Sequence, residues 1–431
     1  MSTMLNNWIH WISHQTPEQL LILLGVILLI DSPRYLFGDL IICLWDSVTR
    51  IIPYPKSNVA IAPLPYLPSV CVLLAGHNES DTLGATLSSI WGTYPKLEII
   101  VIDDGSQDNT HQVAASFAAA HQDVMVLRRS RRSGKSSALN FALSYARAEI
   151  IVAVDTDSHL GPNAIWEIIQ PLRDPGTAAV SAAVLARNPF TNILTWLQSH
   201  EYFHSTLVGR LFSARLGTLS IVSGAFGAFR KSVLQQVSGW DVGPGEDGDL
   251  TLRIRKAGFR VAFAPFAQCF TKVPVTWRHL IQQRRRWDRS VVTYECRKHF
   301  DMGYLFNNRN FQIRNFLTLL DRWFFNVFCV YAFFAYGIWM TITMSNQLDK
   351  LFLTCYLFYL SIALMQVFLV LFYSINLRRD LLVCLVTPLM PFYHVFMKVI
   401  SLIAITEELL WRRSFQDNFV PLHVRKKTWR W

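Results

Sequence analysis

Residues 149–157 read EIIVAVDTD. A run of β-branched and other apolar residues leads, without polar alternation, into two acids, Asp155 and Asp157. Two similar runs precede it, VCVLLAG at 70–76 and LEIIVIDDG at 97–105. Unbroken apolar runs of this length suit strands buried on both faces, as in parallel sheets covered by helices. Helix-length segments separate the runs, so the chain from Ser69 to about Ala264 reads as an α/β domain with a Rossmann-like, mostly parallel sheet. Acids and glycines fall where the strands end, and open α/β sheets bind ligands at that edge.

Outside this block the composition changes. The 431 residues are 52% hydrophobic but only 16% charged, against roughly 25% charged in soluble domains. That excludes a disordered tail protein, a collagen-like repeat and a small disulfide scaffold. Seven scattered cysteines with no C-x-x-C pair indicate neither a zinc site nor a disulfide framework. The excess of 41 Lys+Arg over 30 Asp+Glu, a net +11, requires anionic partners: headgroups, nucleotide phosphates or nucleic acid.

The apolar excess sits at the two ends. Residues 19–45 read as one crossing kinked near Pro33, because a span needs about 20 apolar residues. The expected organisation is an N-terminal membrane segment (1–52), a Pro-rich linker (53–68) and the α/β domain (69–275). Amphipathic interface helices (276–315), a membrane region (316–405) and a basic tail (406–431) follow. Candidate spans are 316–344, 351–375 and 381–405. Residues 193–216 and 277–300 read as amphipathic helices suited to a bilayer surface. Arg309, Arg314, Arg322, Arg378 and Arg379 place the domain on the cytosolic side. Four crossings would then put the tail outside, yet it carries Arg412, Arg413, Arg425, Lys426, Lys427 and Arg430. Pro388 and Pro391 interrupt the last segment, so either it is re-entrant or a span is miscounted.

Six motifs carry possible chemistry. Asp103-Asp104-Gly105-Ser106 ends the second strand and Asn78-Glu79 follows the first; either reads as a base or ribose contact or as an ordinary turn. Asp155 and Asp157 suit one divalent cation bridging diphosphate oxygens, or a turn. Arg131 to Ser136 opens a helix as an anion site through Lys135, or as a solvated basic loop; no P-loop fits, because Arg129 occupies its first glycine position. Glu246-Asp247-Gly248-Asp249 opens another helix with more acid than a cap needs, which suits a general base. Gln283, Arg286 and Trp287 share one helical face, where Arg suits a diphosphate and Trp a ring, while a basic helix also suits anionic lipid.

In this order and spacing the motifs resemble the membrane-embedded processive transferases of glycosyltransferase family two, which include chitin, hyaluronan, cellulose and poly-N-acetylglucosamine synthases. The likeness runs from about Ser69 to Ser290. It implies a glycosyltransferase A-type nucleotide-sugar-binding domain on the cytosolic face of a multi-pass protein of a bacterial-type plasma membrane. It also implies inverting, processive polymerisation of a β-linked polysaccharide from a UDP-sugar with Mg²⁺ or Mn²⁺, coupled to export. Asp104 with Asn78 and Glu79 would hold uridine, and Lys135 would touch the diphosphate. Asp155 and Asp157 would bind nucleotide and metal, Asp247 would be the base beside Glu246, and Gln283, Arg286 and Trp287 would form the acceptor site. Residues 222–230 match the family's acceptor-facing segment, and 266–274 match a mobile loop.

Two positions depart from the family pattern: His77 stands at an aromatic position, and Asp288 stands where a small residue is usual, so it would alter acceptor preference or pair with Arg284 or Arg289. The expected partners are the UDP-sugar, the growing chain and the bilayer, without nucleic acid; accessory subunits leave no mark. The sequence around 245–287 looks closest to N-acetylglucosamine polymerases, favouring UDP-N-acetylglucosamine, with UDP-glucose next. The alternatives are a single transfer to a lipid or short acceptor, and an inactive receptor or scaffold.

Overall fold

The computed structural model describes residues 2–16, 18, 19, 22, 41, 44, 67–241, 243, 245–304, 311–416 and 421–424. Most of the expected crossing at 19–45 and of the linker at 53–68 lies outside the described residues, as do Arg309 and residues 425–430.

Helix α1 (Ser2–Ser13) precedes the α/β domain. The domain's strands are β1 (Val70–Gly76), β2 (Leu97–Asp104), β3 (Val124–Arg129), β4 (Ile150–Asp155), β5 (His159–Leu160), β6 (Thr177–Ala186), β7 (Phe226–Arg230) and β8 (Arg260–Thr271). They form one eight-stranded sheet in the order β3-β2-β1-β4-β7-β6-β8-β5. The runs at 70–76, 97–105 and 149–157 are β1, β2 and β4, paired in parallel at its centre. Successive residues of β1 face opposite layers. Leu73 packs with Ile100, Ile102, Leu139 and Leu250 on one face. Val72 and Leu74 pack with Leu83, Leu87 and Ile165 on the other. Each such buried side chain contributes about 1.5–3 kcal/mol.

The sheet is mixed beyond β4, for β7 runs antiparallel to both β4 and β6. That reversal places the start of β7 beside the end of β4, where the Asp155 N–H donates to Ala225 O at 3.2 Å. A functional edge built by parallel strands thus gains a loop from an antiparallel one.

The helices α2 (Ser80–Ile90), α3 (Thr110–Ala120), α4 (Lys135–Leu143) and α5 (Ala164–Ile169) connect the strands up to β6. After β6 come α6 (Ile193–Tyr202), a π-helical turn at Phe203–Val208 and α7 (Gly209–Arg215). After β7 come α8 (Lys231–Gln236) and α9 (Glu246–Lys256), and after β8 comes α10 (Trp277–Val291). The expected loop at 266–274 is largely strand. Gln268 to Thr271 pair with Ala183 to Ala186, and Cys269 and Phe270 also pair with Leu160 and His159. Bonded on both sides, these residues extend β8 instead of leaving a free loop.

The C-terminal region holds α11 (Ile313–Trp323), α12 (Cys329–Thr343), α13 (Leu348–Phe372), α14 (Leu377–Cys384) and α15 (Met390–Trp411). Three helical segments, Ile313–Thr343, Ser345–Phe368 and Leu377–Trp411, are long and apolar enough to cross a membrane. The start of the first is fastened to the domain: Arg255 donates to Asn315 Oδ1 (3.2 Å) and Thr318 Oγ1 (2.8 Å). Val370 and Tyr373, at the end of α13, pack into the core cluster that contains Leu73. The opposite end of the α12–α13 pair carries α1, whose Trp8 indole donates to Thr354 Oγ1 at 2.8 Å. Trp11 is buried there with Met340 and Leu351.

Candidate active site

The site is assembled at the edge where β1, β2 and β4 end. Asn78 takes a left-handed φ of 60°. Its N–H donates to Ser106 Oγ at 3.0 Å, and its Oδ1 accepts the Gln107 N–H at 2.9 Å. The loops after β1 and β2 are therefore tied to each other. The Asp104 carboxylate, 3% exposed, accepts the N–H groups of Ser133 (2.9 Å) and Gly134 (2.7 Å). Its oxygens, expected from the resemblance to meet uridine, brace the turn that opens α4. Asp103 accepts the Ser106 N–H at 2.8 Å and lies 3.2 Å from Arg128 Nε.

Lys135 starts α4 and reaches across the end of β4. Its ammonium pairs with Asp155, lies 3.8 Å from Glu246 Oε1 and donates to Gly224 O at 3.2 Å. Burial works against this charge, but Asp155, Glu246 and Asp247 together hold its pKa above the ordinary lysine value. Asp157 is pushed up to about 6 by burial and by the carboxylates of Asp155 and Glu79. Glu79 is itself raised by burial, with Asp155 and Asp108 adding to the effect. These shifts mark a crowd of acids around one lysine.

The acids at the start of α9 divide in two. Asp249 is fully buried and lies 2.8 Å from Arg253 Nε, 2.7 Å from Lys298 Nζ and 2.8 Å from His299 Nε2. Burial opposes its charge, but these partners hold it well below the usual carboxylate range. Its role is structural. Asp247 instead faces the edge of the sheet. Its Oδ2 accepts the Gly224 N–H at 3.3 Å and its Oδ1 accepts the Gly248 N–H at 2.9 Å. Glu246 is raised by burial despite Lys135. Gly224 thus touches both Lys135 and Asp247, and a Cβ there would come 3.1 Å from the Lys135 Nζ. The 222–230 segment meets Lys135 and Asp247 through the backbone groups of Gly224.

Among the described residues no three His, Cys, Asp or Glu side chains form a full metal-ligand set. The donors nevertheless fit a hard divalent ion. Asp155 and Asp157 offer two oxygen ligands, Glu79 lies close enough to raise Asp157, and such ions keep water and phosphate oxygens as remaining ligands.

Helix α10 brings the last motif. Its N-cap Thr276 accepts the His279 N–H at 3.4 Å. Gln283 and Arg286 are half-buried and Trp287 is 40% exposed. The Gln283 Oε1 is buried without a partner. Asp288 does not pair directly with Arg284 or Arg289 in the way its position suggests; it accepts the Ser401 hydroxyl at 2.8 Å, from α15. Arg285 and Arg289 both pair with Glu407, and Arg297 pairs with Glu408 at 2.7 Å. These contacts run alongside the Trp277–Phe396 ring contact at 5.0 Å, so α15 lies along α10 over its length. Residues so far apart in sequence leave no local signal.

A family description, glycosyltransferase like family 2, matches residues 68–290, just over half of the chain. The chain belongs to this family. It is 32% identical over 244 residues to a poly-beta-1,6-N-acetyl-D-glucosamine synthase of Staphylococcus aureus, covering 56% of this chain and 58% of the relative. The corresponding Staphylococcus epidermidis synthase is 31% identical over 240 residues, covering 54% and 57%. The chain thus matches less than two thirds of the length of these curated relatives. A mannosyltransferase from Pyrobaculum calidifontis, solved with GDP-Man and Mn²⁺, superposes with a TM-score of 0.58 at 20% identity. That likeness covers 91% of this chain and 99% of the other, and it supports the glycosyltransferase A-type fold.

Proposed function

We propose that the chain polymerises a β-linked polysaccharide by inverting transfer from a UDP-sugar, with UDP-N-acetylglucosamine the favoured donor and UDP-glucose next. The observation that carries this reading is the convergence of Asp155, Glu246 and the Gly224 carbonyl on Lys135, with Asp247 on the Gly224 N–H. Asn78, Glu79 and Asp104 shape the nucleoside end, Asp104 by holding the turn before Lys135. Lys135 binds the diphosphate. Asp155 and Asp157 would hold Mg²⁺ or Mn²⁺, which supplies charge stabilisation to the departing nucleotide. Asp247, fixed by the Gly224 and Gly248 N–H groups, takes the proton of the acceptor hydroxyl as that oxygen attacks the anomeric carbon in line. Glu246 neutralises Lys135 from the same helix turn. Gln283, Arg286 and Trp287 meet the acceptor end. The likeness to poly-N-acetylglucosamine synthases supports this donor.

The same reading places the α/β domain at the cytosolic face, with the boundaries expected from sequence. α12 and α13 form an out-and-back pair, since α13 returns to the sheet core and α1 sits at the far end. α15, though long enough to cross, is read as staying with α10 at the interface. Pro421 supports this, for its Cδ lies 3.5 Å from where a Gly134 Cβ would be. Three crossings, one of them at 19–45, then leave the basic tail on the cytosolic side, with the product leaving through the membrane region beyond Trp287.

The test compares purified wild type with Asp157→Ala and Asp247→Asn, each supplied with UDP-sugar and Mn²⁺. Both variants are expected to keep the wild-type circular dichroism and lose at least 100-fold in transfer, within the range for a lost general base. Normal polymer from either refutes the assignment. A product extended by a single sugar would favour single transfer to a lipid or short acceptor.

A further inference from the structure

Arg284 lies between the family-like positions Gln283 and Arg286 on α10, and nothing in its spacing assigns it a task. Its guanidinium carbon stands 4.5 Å from the centroid of the Trp287 ring, three residues on along the same helix. Residues at that spacing are neighbours on a helix surface. The charge is held from two other elements. Arg284 Nη2 donates to Glu201 Oε2 at 2.7 Å, from the end of α6. The same oxygen accepts the Tyr393 hydroxyl at 2.7 Å, from the start of α15. Tyr202 adds a second ring 5.9 Å from the guanidinium. The side chains of Arg284 and Glu201 are only 12% and 17% exposed, so the pair is geometrically fixed and well shielded from solvent screening.

We propose that Glu201, Arg284 and Tyr393 are positioning residues for Trp287, pressing one face of the indole so that an acceptor sugar stacks on the other. This rests on the reading of Trp287 as part of the acceptor site. An indole that stays 40% exposed on a packed helix still has χ freedom unless something occupies one of its faces. The guanidinium does so, drawn to the electron-rich face of the ring, and leaves the opposite face to the ligand. Glu201 holds the guanidinium beside the ring, and Tyr393 fixes Glu201 through the same oxygen. The fastening also links α6, α10 and α15, so a shift of the last helix would be felt at the acceptor site.

The experiment uses the full chain in lipid nanodiscs, with UDP-N-acetylglucosamine and a β-linked N-acetylglucosamine trimer as the probe acceptor. KM for donor and for acceptor is measured separately in wild type, Trp287→Ala, Glu201→Gln, Arg284→Met, Arg284→Lys and Tyr393→Phe. Because KM does not depend on how much of a preparation is active, partial misfolding does not imitate the effect. Glu201→Gln and Arg284→Met are expected to raise acceptor KM about tenfold, equivalent to about 1.4 kcal/mol, while donor KM stays within about twofold. Arg284→Lys and Tyr393→Phe should fall between these and wild type. If Trp287→Ala raises acceptor KM while Glu201→Gln and Arg284→Met leave it unchanged, the positioning role is wrong. Donor and acceptor KM rising together would refute it equally. If Trp287→Ala itself leaves acceptor KM unchanged, the acceptor-site reading fails with it.

Discussion

Asp288→Asn should make the protein more stable at alkaline pH and no more stable in acid. Asp288 stands beside Trp287 and accepts the Ser401 hydroxyl at 2.8 Å. Burial pushes its pKa from 3.8 up to about 6, with Glu201 adding to the rise and Ser401, Arg284 and Arg322 opposing it. A carboxyl whose pKa is raised on folding binds its proton more tightly in the native state. Its contribution is therefore complete below about pH 4 and is lost as pH rises through about 6. The shift of roughly two units, at 1.36 kcal/mol each, makes the loss at most about 3 kcal/mol. Asparagine keeps an oxygen for Ser401 and carries no charge. Thermal melts of the detergent-purified protein at pH 4.5, 6 and 8, at one scan rate, read the effect. The variant should melt higher than wild type at pH 8, by roughly 5 °C on the scaling for large domains, and the gain should vanish at pH 4.5. A gain equal at all three pH values, or a variant less stable at pH 8, would show that no buried Asp288 carboxylate is being charged.

Three further outcomes follow from the same geometry. Lys135→Met should raise KM for the UDP-sugar about 10- to 100-fold, the worth of a hydrogen bond to a charged group; steady-state kinetics would contradict the diphosphate role if KM did not move. Gly245→Ala, just before Glu246, should cut turnover at least about tenfold and lower the melting temperature. Its φ is +77° and the new Cβ would stand 2.6 Å from the Tyr294 ring, so the start of α9 must shift, at an overpacking cost of about 1–3 kcal/mol. A cysteine introduced at the exposed Leu422 should react with a membrane-impermeant maleimide in inverted vesicles and not in right-side-out ones; the opposite pattern would move the tail across the membrane.

Much of the fold is legible in the sequence, because the strongest signals are local. β1, β2 and β4 announce themselves by unbroken apolar runs, and Asp155 and Asp157 stand where β4 stops. β6 is far less legible: TAAVSAAVLA is alanine-rich, and its full burial comes from neighbours that no window contains. The reversal of β7 was equally hidden, and with it the approach of Gly224 to Lys135, which are 89 residues apart. Acid spacing could not separate Asp247 from Asp249, since the difference lies in His299 and Lys298. The 266–274 segment illustrates the opposite failure. Its family position suggested a loop, but pairing with both β5 and β6 made most of it strand. The Arg284–Glu201–Tyr393 contact joins three helices across 192 residues, and only the folded chain brings it together.

These acids and this lysine are proposed above to serve a metal-assisted UDP-sugar polymerase. Purified protein incubated with Mn²⁺ and, in turn, radiolabelled UDP-N-acetylglucosamine, UDP-glucose and other UDP-sugars tests it most directly. The expected result is UDP release coupled to a high-molecular-weight product, strongest with UDP-N-acetylglucosamine and abolished by a chelator. Absence of polymer with every UDP-sugar, or polymer that forms equally well in chelator, would contradict it.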